Sequence, residues 1–170
     1  MQKMFSEISY LIFVFSVIFF INSCGSEENS NNNSDTLKIL QTRSFSVSDY
    51  NFAILEGDKF IQYNKAIYHR GDEVYLVLED VGPFARGADS LNHAEMKLEV
   101  TDAIGQIITI REDIFGARGH NNFPNNMLSS PYASFSSGVN DKPGKYSMSV
   151  TVYDLVRKDS ILVYDDFFLE

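Results

Sequence analysis

The chain has 170 residues, 44% of them hydrophobic and 14% aromatic, with a formal net charge of −9 and a single cysteine. That composition suits one globular domain able to bury a core without staples. The acidic balance argues against a nucleic-acid partner, whose phosphates need a basic footprint, and one thiol excludes an intramolecular disulfide.

The N-terminus carries Lys3 and then an apolar run from Ile8 to Ile21 of about 14 residues. That length fits a secretory leader, whereas a spanning helix needs about 20 residues. Asn22, Ser23 and Cys24 follow at once, so the sole cysteine sits where the apolar run ends. Ile21-Asn-Ser-Cys24 resembles the lipobox of bacterial lipoproteins, with Asn22 departing from the usual small residue. The resemblance implies that residues 1–23 are a cleaved signal peptide and that Cys24 carries the lipid, palmitate included. It places the protein in the cell envelope. Position 26 is Ser rather than the Asp that retains some lipoproteins at the inner membrane, which points to the outer membrane, facing either side. Residues 24–35, with Asn29-Ser-Asn-Asn-Asn-Ser34, are polar and read as a flexible tether.

Residues 36–170 read as an all-β domain. Thr36–Val47 is a first strand region, and Asn51–Leu55 is a short strand or a helical turn. Glu56-Gly-Asp58 and Asn64-Lys65 are turns, and Ile67-Tyr68 pairs briefly. Asp72–Asp80 is a strand with Val74, Leu76 and Leu78 on one face. Val81–His93 reads as a polar loop. Glu95–Thr101 and Gln106–Arg111 form a hairpin about Asp102–Gly105, where Gly supplies a positive φ. Glu112–Pro131 is a long irregular segment, and Tyr132–Ser136 is a further strand. Tyr146–Tyr153 alternates strictly, with Tyr146, Met148, Val150 and Val152 on one face. Ser160–Leu169 returns beside it. About seven strands with no amphipathic helix predict an antiparallel β-sandwich.

Asp141-Lys-Pro-Gly144-Lys-Tyr146-Ser-Met148 resembles the tyrosine corner of immunoglobulin-like sandwiches. In that motif the tyrosine hydroxyl bonds an upstream backbone group. Asp141, Gly144 and Tyr146 carry the likeness here, and Met148 stands where antibody domains have cysteine. Arg70-Gly-Asp-Glu-Val74 and Val152-Tyr-Asp154-Leu resemble recurrent phrases of extracytoplasmic Ig-like modules. The resemblance implies an Ig-like architecture, which hosts many functions and transfers no active site.

Candidate sites are few. Arg70-Gly71-Asp72 reads as a turn into a strand. His69, His93 and His120 are far apart and lack partners at ligand spacing, so no metal site is read from them. Asp72/Glu73, Glu79/Asp80, Asp102, Glu112/Asp113, Asp154 and Asp165/Asp166 lie at loop ends. They read as turn caps and solvated faces, with calcium the less favoured alternative and no cofactor called. The most mixed loop is Gly116–Met127, where Arg118, His120, Asn121, Asn122 and Phe123 are candidate ligand contacts, with Phe84 or Tyr132 as aromatic platforms. No G-x-S-x-G or Ser–His–Asp set is legible. The expectation is therefore a non-catalytic, membrane-anchored module that acts in binding or assembly with a protein partner. A glycan-binding accessory is the alternative, and a hydrolase a remote one.

Overall fold

The computed structural model describes residues 44–122 and 129–170, all within the unit Leu40–Glu170. The leader, Cys24, the tether, residues 36–43 of the first strand region and Phe123 lie outside the described residues. Ten strands follow in order: β1 (Asp49–Glu56), β2 (Lys59–Gln62), β3 (Ile67–Tyr68), β4 (Glu73–Glu79), β5 (Asn92–Asp102), β6 (Ile107–Arg111), β7 (His120–Asn121), β8 (Tyr132–Ser136), β9 (Gly144–Asp154) and β10 (Asp159–Leu169). Seven of them have five or more residues. A single 3-10 turn, Gly116–Gly119, precedes β7.

Two sheets form a sandwich. One runs β2-β1-β4-β8 and the other β3-β10-β9-β5-β6, with β7 also paired to β5. In Ig lettering, β1, β4 and β8 correspond to A, B and E, and β10, β9, β5 and β6 to G, F, C and C′. The pairing is antiparallel with one exception, since β3 runs parallel to β10 through Phe168 and Leu169. Tyr146 stands near the start of β9, the F-like strand, as the corner resemblance implies.

Alternation explains the layers. Val74, Leu76 and Leu78 of β4 are fully buried, as are Leu98 and Val100 of β5 and Met148, Val150 and Val152 of β9. The intervening residues of these strands are half-buried on the outer faces. Asn51–Leu55 is strand and not a helical turn, because β2 and β4 hydrogen-bond it from both sides. The β1–β2 connection is two residues long, and Gly57 takes the positive φ of +64° that so tight a connection favours. Phe167 of β10 lies between the sheets. Its ring centroid is 5.7 Å from Phe52 and 6.0 Å from Phe135 on one sheet, and 5.5 Å from Tyr146 on its own.

Two sequence expectations need correcting here. Thr36–Val47 is not a strand in its described part; only Ser46 bridges, to Gly82. Val81–His93 is a polar loop only in its middle, residues 86–91, since Val81, Phe84 and Asn92 at its ends are buried. The segment folds inward over one end of the sandwich, where the Phe84 ring packs 5.1 Å from that of Phe45. The polar groups this buries are satisfied. Asn92 Nδ2 donates to the carbonyls of Phe84 and Ala85, at 3.1 and 2.9 Å. Ala85 N–H donates to Asp154 Oδ2 at 2.8 Å.

Candidate functional site

The segment 112–122, expected to be irregular, is tied to β5 along its length. Ile114 N–H donates to the Met96 carbonyl at 2.8 Å, and β7 pairs Asn121 with Asn92 and His120 with His93. Between these anchors the 3-10 turn brings Gly119 against β5. A Cβ at Gly119 would lie 1.9 Å from the Ala94 carbonyl oxygen, so only glycine allows this approach. The turn thereby holds Phe115 and Arg118 beside the gap where the two sheets part.

That gap is a cleft of about 440 Å³ lined by Met96, Arg111, Phe115, Arg118, Pro131 and Tyr132, among others. A second hollow of about 260 Å³ shares Phe115, Arg118 and Pro131 and adds Phe84 and Asn121. The larger volume falls within the range of small-ligand sites. Arg111 ends β6 and donates from its guanidinium to the Ser134 carbonyl of β8, joining the edge strands of the two sheets across the cleft. Among the described residues that line the two hollows, arginine supplies every formal charge and no carboxylate or imidazole appears.

Tyr132 links the cleft to an aromatic surface. Phe60 of β2, Tyr75 of β4 and Tyr132 of β8 all project from the outer face of the smaller sheet. Ring centroids are 4.6 Å apart for Phe60 and Tyr132, and 5.2 Å for Phe60 and Tyr75. β2 and β8 are opposite edges of this sheet, so their side chains meet only by leaning over β1 and β4. The small Ala53 permits this, and it is fully buried on the outward face. Burial, and then the neighbouring Glu73 and Tyr132, push the Tyr75 phenol above its ordinary value.

The structure separates the sequence-picked residues. Arg118 and Asn121 line the hollows, Asn122 is exposed, and His120 turns to another partner. Phe84 is buried and is no platform, whereas Tyr132 is 47% exposed. His120 Nδ1 lies 2.8 Å from His93 Nδ1, and His93 Nε2 lies 2.9 Å from Asp89 Oδ2. The hydrogen bond from Leu91 N–H, and then that from His93, hold the Asp89 carboxyl below its usual value. Sequence spacing missed this pair because His93 and His120 are 27 residues apart and meet only across β5 and β7. Arg111 was missed as well, since an arginine ending an edge strand gives no signal of which way it points.

Several acids at loop ends cap turns. Asp72 Oδ2 accepts from His69 N–H at 2.8 Å, closing the turn that holds Arg70 and Gly71. Asp102 Oδ1 accepts from Ile104 and Gln106, Asp113 Oδ1 from Gly116 and Asp141 Oδ2 from Gly138. Asp154 departs from the solvated reading, being completely buried. Tyr146 Oη donates to the Lys142 carbonyl at 2.8 Å, and Gly144 opens β9 at φ +141°.

No protein-family model matches the chain, and no curated protein matches it. Among solved structures, one described as the C-terminal domain of Wzt is similar to it at 10% identity, with a TM-score of 0.46. The similarity covers 74% of this chain and 72% of that one.

Proposed function

We propose that the protein is a membrane-anchored, non-catalytic binding module of the bacterial cell envelope, carried by lipid on Cys24 and presented by the tether at residues 24–35. The observation that carries the binding role is the cleft between β6 and β8, where Arg111, Arg118, Phe115 and Tyr132 meet. Two guanidinium groups, aromatic faces and backbone groups suit recognition, in which donors fix orientation and apolar walls supply contact. Among the described residues that line it there is no carboxylate or imidazole, which favours binding over general acid–base work.

The anchor and the cleft are tested separately. Cys24→Ser should move the protein from the membrane to the soluble fraction of lysed cells; unchanged membrane association would end the lipid-anchor reading. For the cleft, the wild-type chain and the double variant Arg118→Ala/Tyr132→Ala are cross-linked in intact envelopes. A partner captured by the wild type and lost from the folded variant supports the cleft, whereas equal capture by both places binding elsewhere. One observation favours a glycan as the ligand: Tyr132 stands at both the cleft and the Phe60–Tyr75 surface, and a sugar ring stacks on such faces. On that reading soluble envelope oligosaccharides bind the wild type in calorimetry and leave the Tyr132→Ala variant unbound.

A further inference from the structure

We propose that His93 and His120 form a binding site for a divalent, imidazole-preferring transition-metal ion of the zinc or copper class, with Asp89 as its outer support. The two residues are register partners on antiparallel strands, which places their side chains on one face of the sheet at neighbouring positions. Their rings are steeply inclined, at 70° with centroids 4.9 Å apart, and their Nδ1 atoms converge to 2.8 Å. Two imidazole nitrogens at that distance hold one proton between them. An ion replacing the proton needs both nitrogens at about 2.0–2.1 Å, which for tetrahedral ligands puts them about 3.3 Å apart. The rings therefore need to part by only about 0.5 Å.

The remaining geometry selects which nitrogen faces the ion. His93 Nε2–H donates to the Asp89 carboxylate, with contacts of 2.9 and 3.1 Å. That leaves His93 Nδ1 as a lone pair directed at His120. Metal-bound histidines almost always donate their far N–H to an acceptor, and a carboxylate in that place fixes the tautomer and strengthens the ligand. Asp89 is itself held, since Leu91 N–H donates to its Oδ1 at 3.0 Å. Among the described residues no three imidazole, carboxylate or thiolate groups converge on one point. The described residues therefore supply two ligands, and water completes the shell. Imidazole pairs of this kind suit zinc, copper and nickel and not the oxygen-seeking calcium or magnesium.

The site also has a mechanical consequence. A metal across His93 and His120 staples β7 to β5, and the residues beside His120, Gly119 and Asn121, line the smaller hollow next to the cleft. Ion binding would thus rigidify one wall of that hollow without contacting its contents.

Zinc chloride, and separately copper(II) chloride, are titrated into the full chain in non-ionic detergent. We expect the melting temperature to rise with zinc, with a larger rise for copper at equal concentration, following the order of imidazole affinities. His93→Ala and His120→Gln should each abolish the rise, His69→Ala should retain it, and Asp89→Asn should weaken zinc affinity by about 10-fold. Far-UV circular dichroism establishes that each variant is folded. Independently of any variant, zinc should shift the ring resonances of His93 and His120 together in the wild-type NMR spectrum and leave those of His69 in place. A wild-type melting temperature insensitive to both metals overturns the proposal. So does a metal response that persists in folded His93→Ala and His120→Gln, or ring shifts confined to His69.

Discussion

Tyr146 shows how a single hydroxyl fixes a corner. The ring is buried and stacks on Phe167 at 5.5 Å, while the oxygen reaches back four residues to the Lys142 carbonyl. Burial, and then the charges of Asp141 and Asp102, push the phenol above its ordinary value, so it stays protonated and donates. Tyr146→Phe keeps the ring and loses one hydrogen bond; we expect about 1 kcal/mol of destabilisation in urea unfolding. Asp166 on β10 acts through charge instead. Lys145 Nζ at 2.7 Å and Ser147 Oγ at 2.5 Å hold its carboxyl below the usual value, Lys145 contributing most. A carboxyl depressed in the folded state stabilises above its unfolded value near 4, and this is lost as pH falls through the folded value. Asp166→Asn should therefore lose less stability than the wild type between about pH 5 and pH 3. With Asp166 41% exposed, the difference should be small and shrink in high salt. The tyrosine was legible in sequence because turn residues and strict alternation flank it. The Asp166 contacts were not, because Lys145 and Ser147 lie on the neighbouring strand about 20 residues away.

Between elements, Asp154 does the joining. It ends β9, is fully buried, and accepts from three backbone N–H groups: Ala85 at 2.8 Å, Val156 at 3.1 Å and Arg157 at 3.0 Å. The Arg157 Nε lies 3.6 Å away and balances its charge. The β9–β10 turn and the Val81–Asn92 segment thus share one carboxylate. Asp154→Ala leaves three donors without their acceptor and should cost about 3 kcal/mol, whereas Asp154→Asn keeps an oxygen and should cost less. Chemical denaturation of the two variants compares them. Local pattern could not reveal this. Asp followed by a turn reads as an exposed cap, and only the return of Ala85 over the end of the sheet removes it from water. The same return buries Phe84, so Val81–Ala85, which with Gly82-Pro83 reads as loop, is wall. By contrast, β4, β9 and β10 were legible almost to their ends, and β5 over Glu95–Thr101, because one face of each meets the core and the other meets solvent.

For the molecule as a whole, stability depends on the rings that cross between the sheets. Phe167 is fully buried and contacts Phe52 and Phe135 of one sheet as well as Tyr68 and Tyr146 of the other. Tyr68 adds a polar tie, donating to the Ala53 carbonyl at 3.1 Å. Burial, and then Tyr63 and Asp72, push its phenol far above the ordinary range. Phe167→Ala removes the shared ring and should destabilise the domain by about 3–5 kcal/mol. Secondary-structure and tyrosine-fluorescence transitions should still coincide, since both sheets lose the same support.

Alternation with period two by itself pointed to a β-sandwich and marked the inward residues of β4, β5 and β9. Burial on one face is a local property of each strand, and any strand carries it in its own residues. Only the tertiary structure decided what the surface offers, namely the Arg111–Arg118 cleft, the rings that lean over Ala53 and the His93–His120 contact, and that Asp154 is buried. Each of these joins residues from separate strands or loops, and their distances depend on strand order and register, which no single segment encodes.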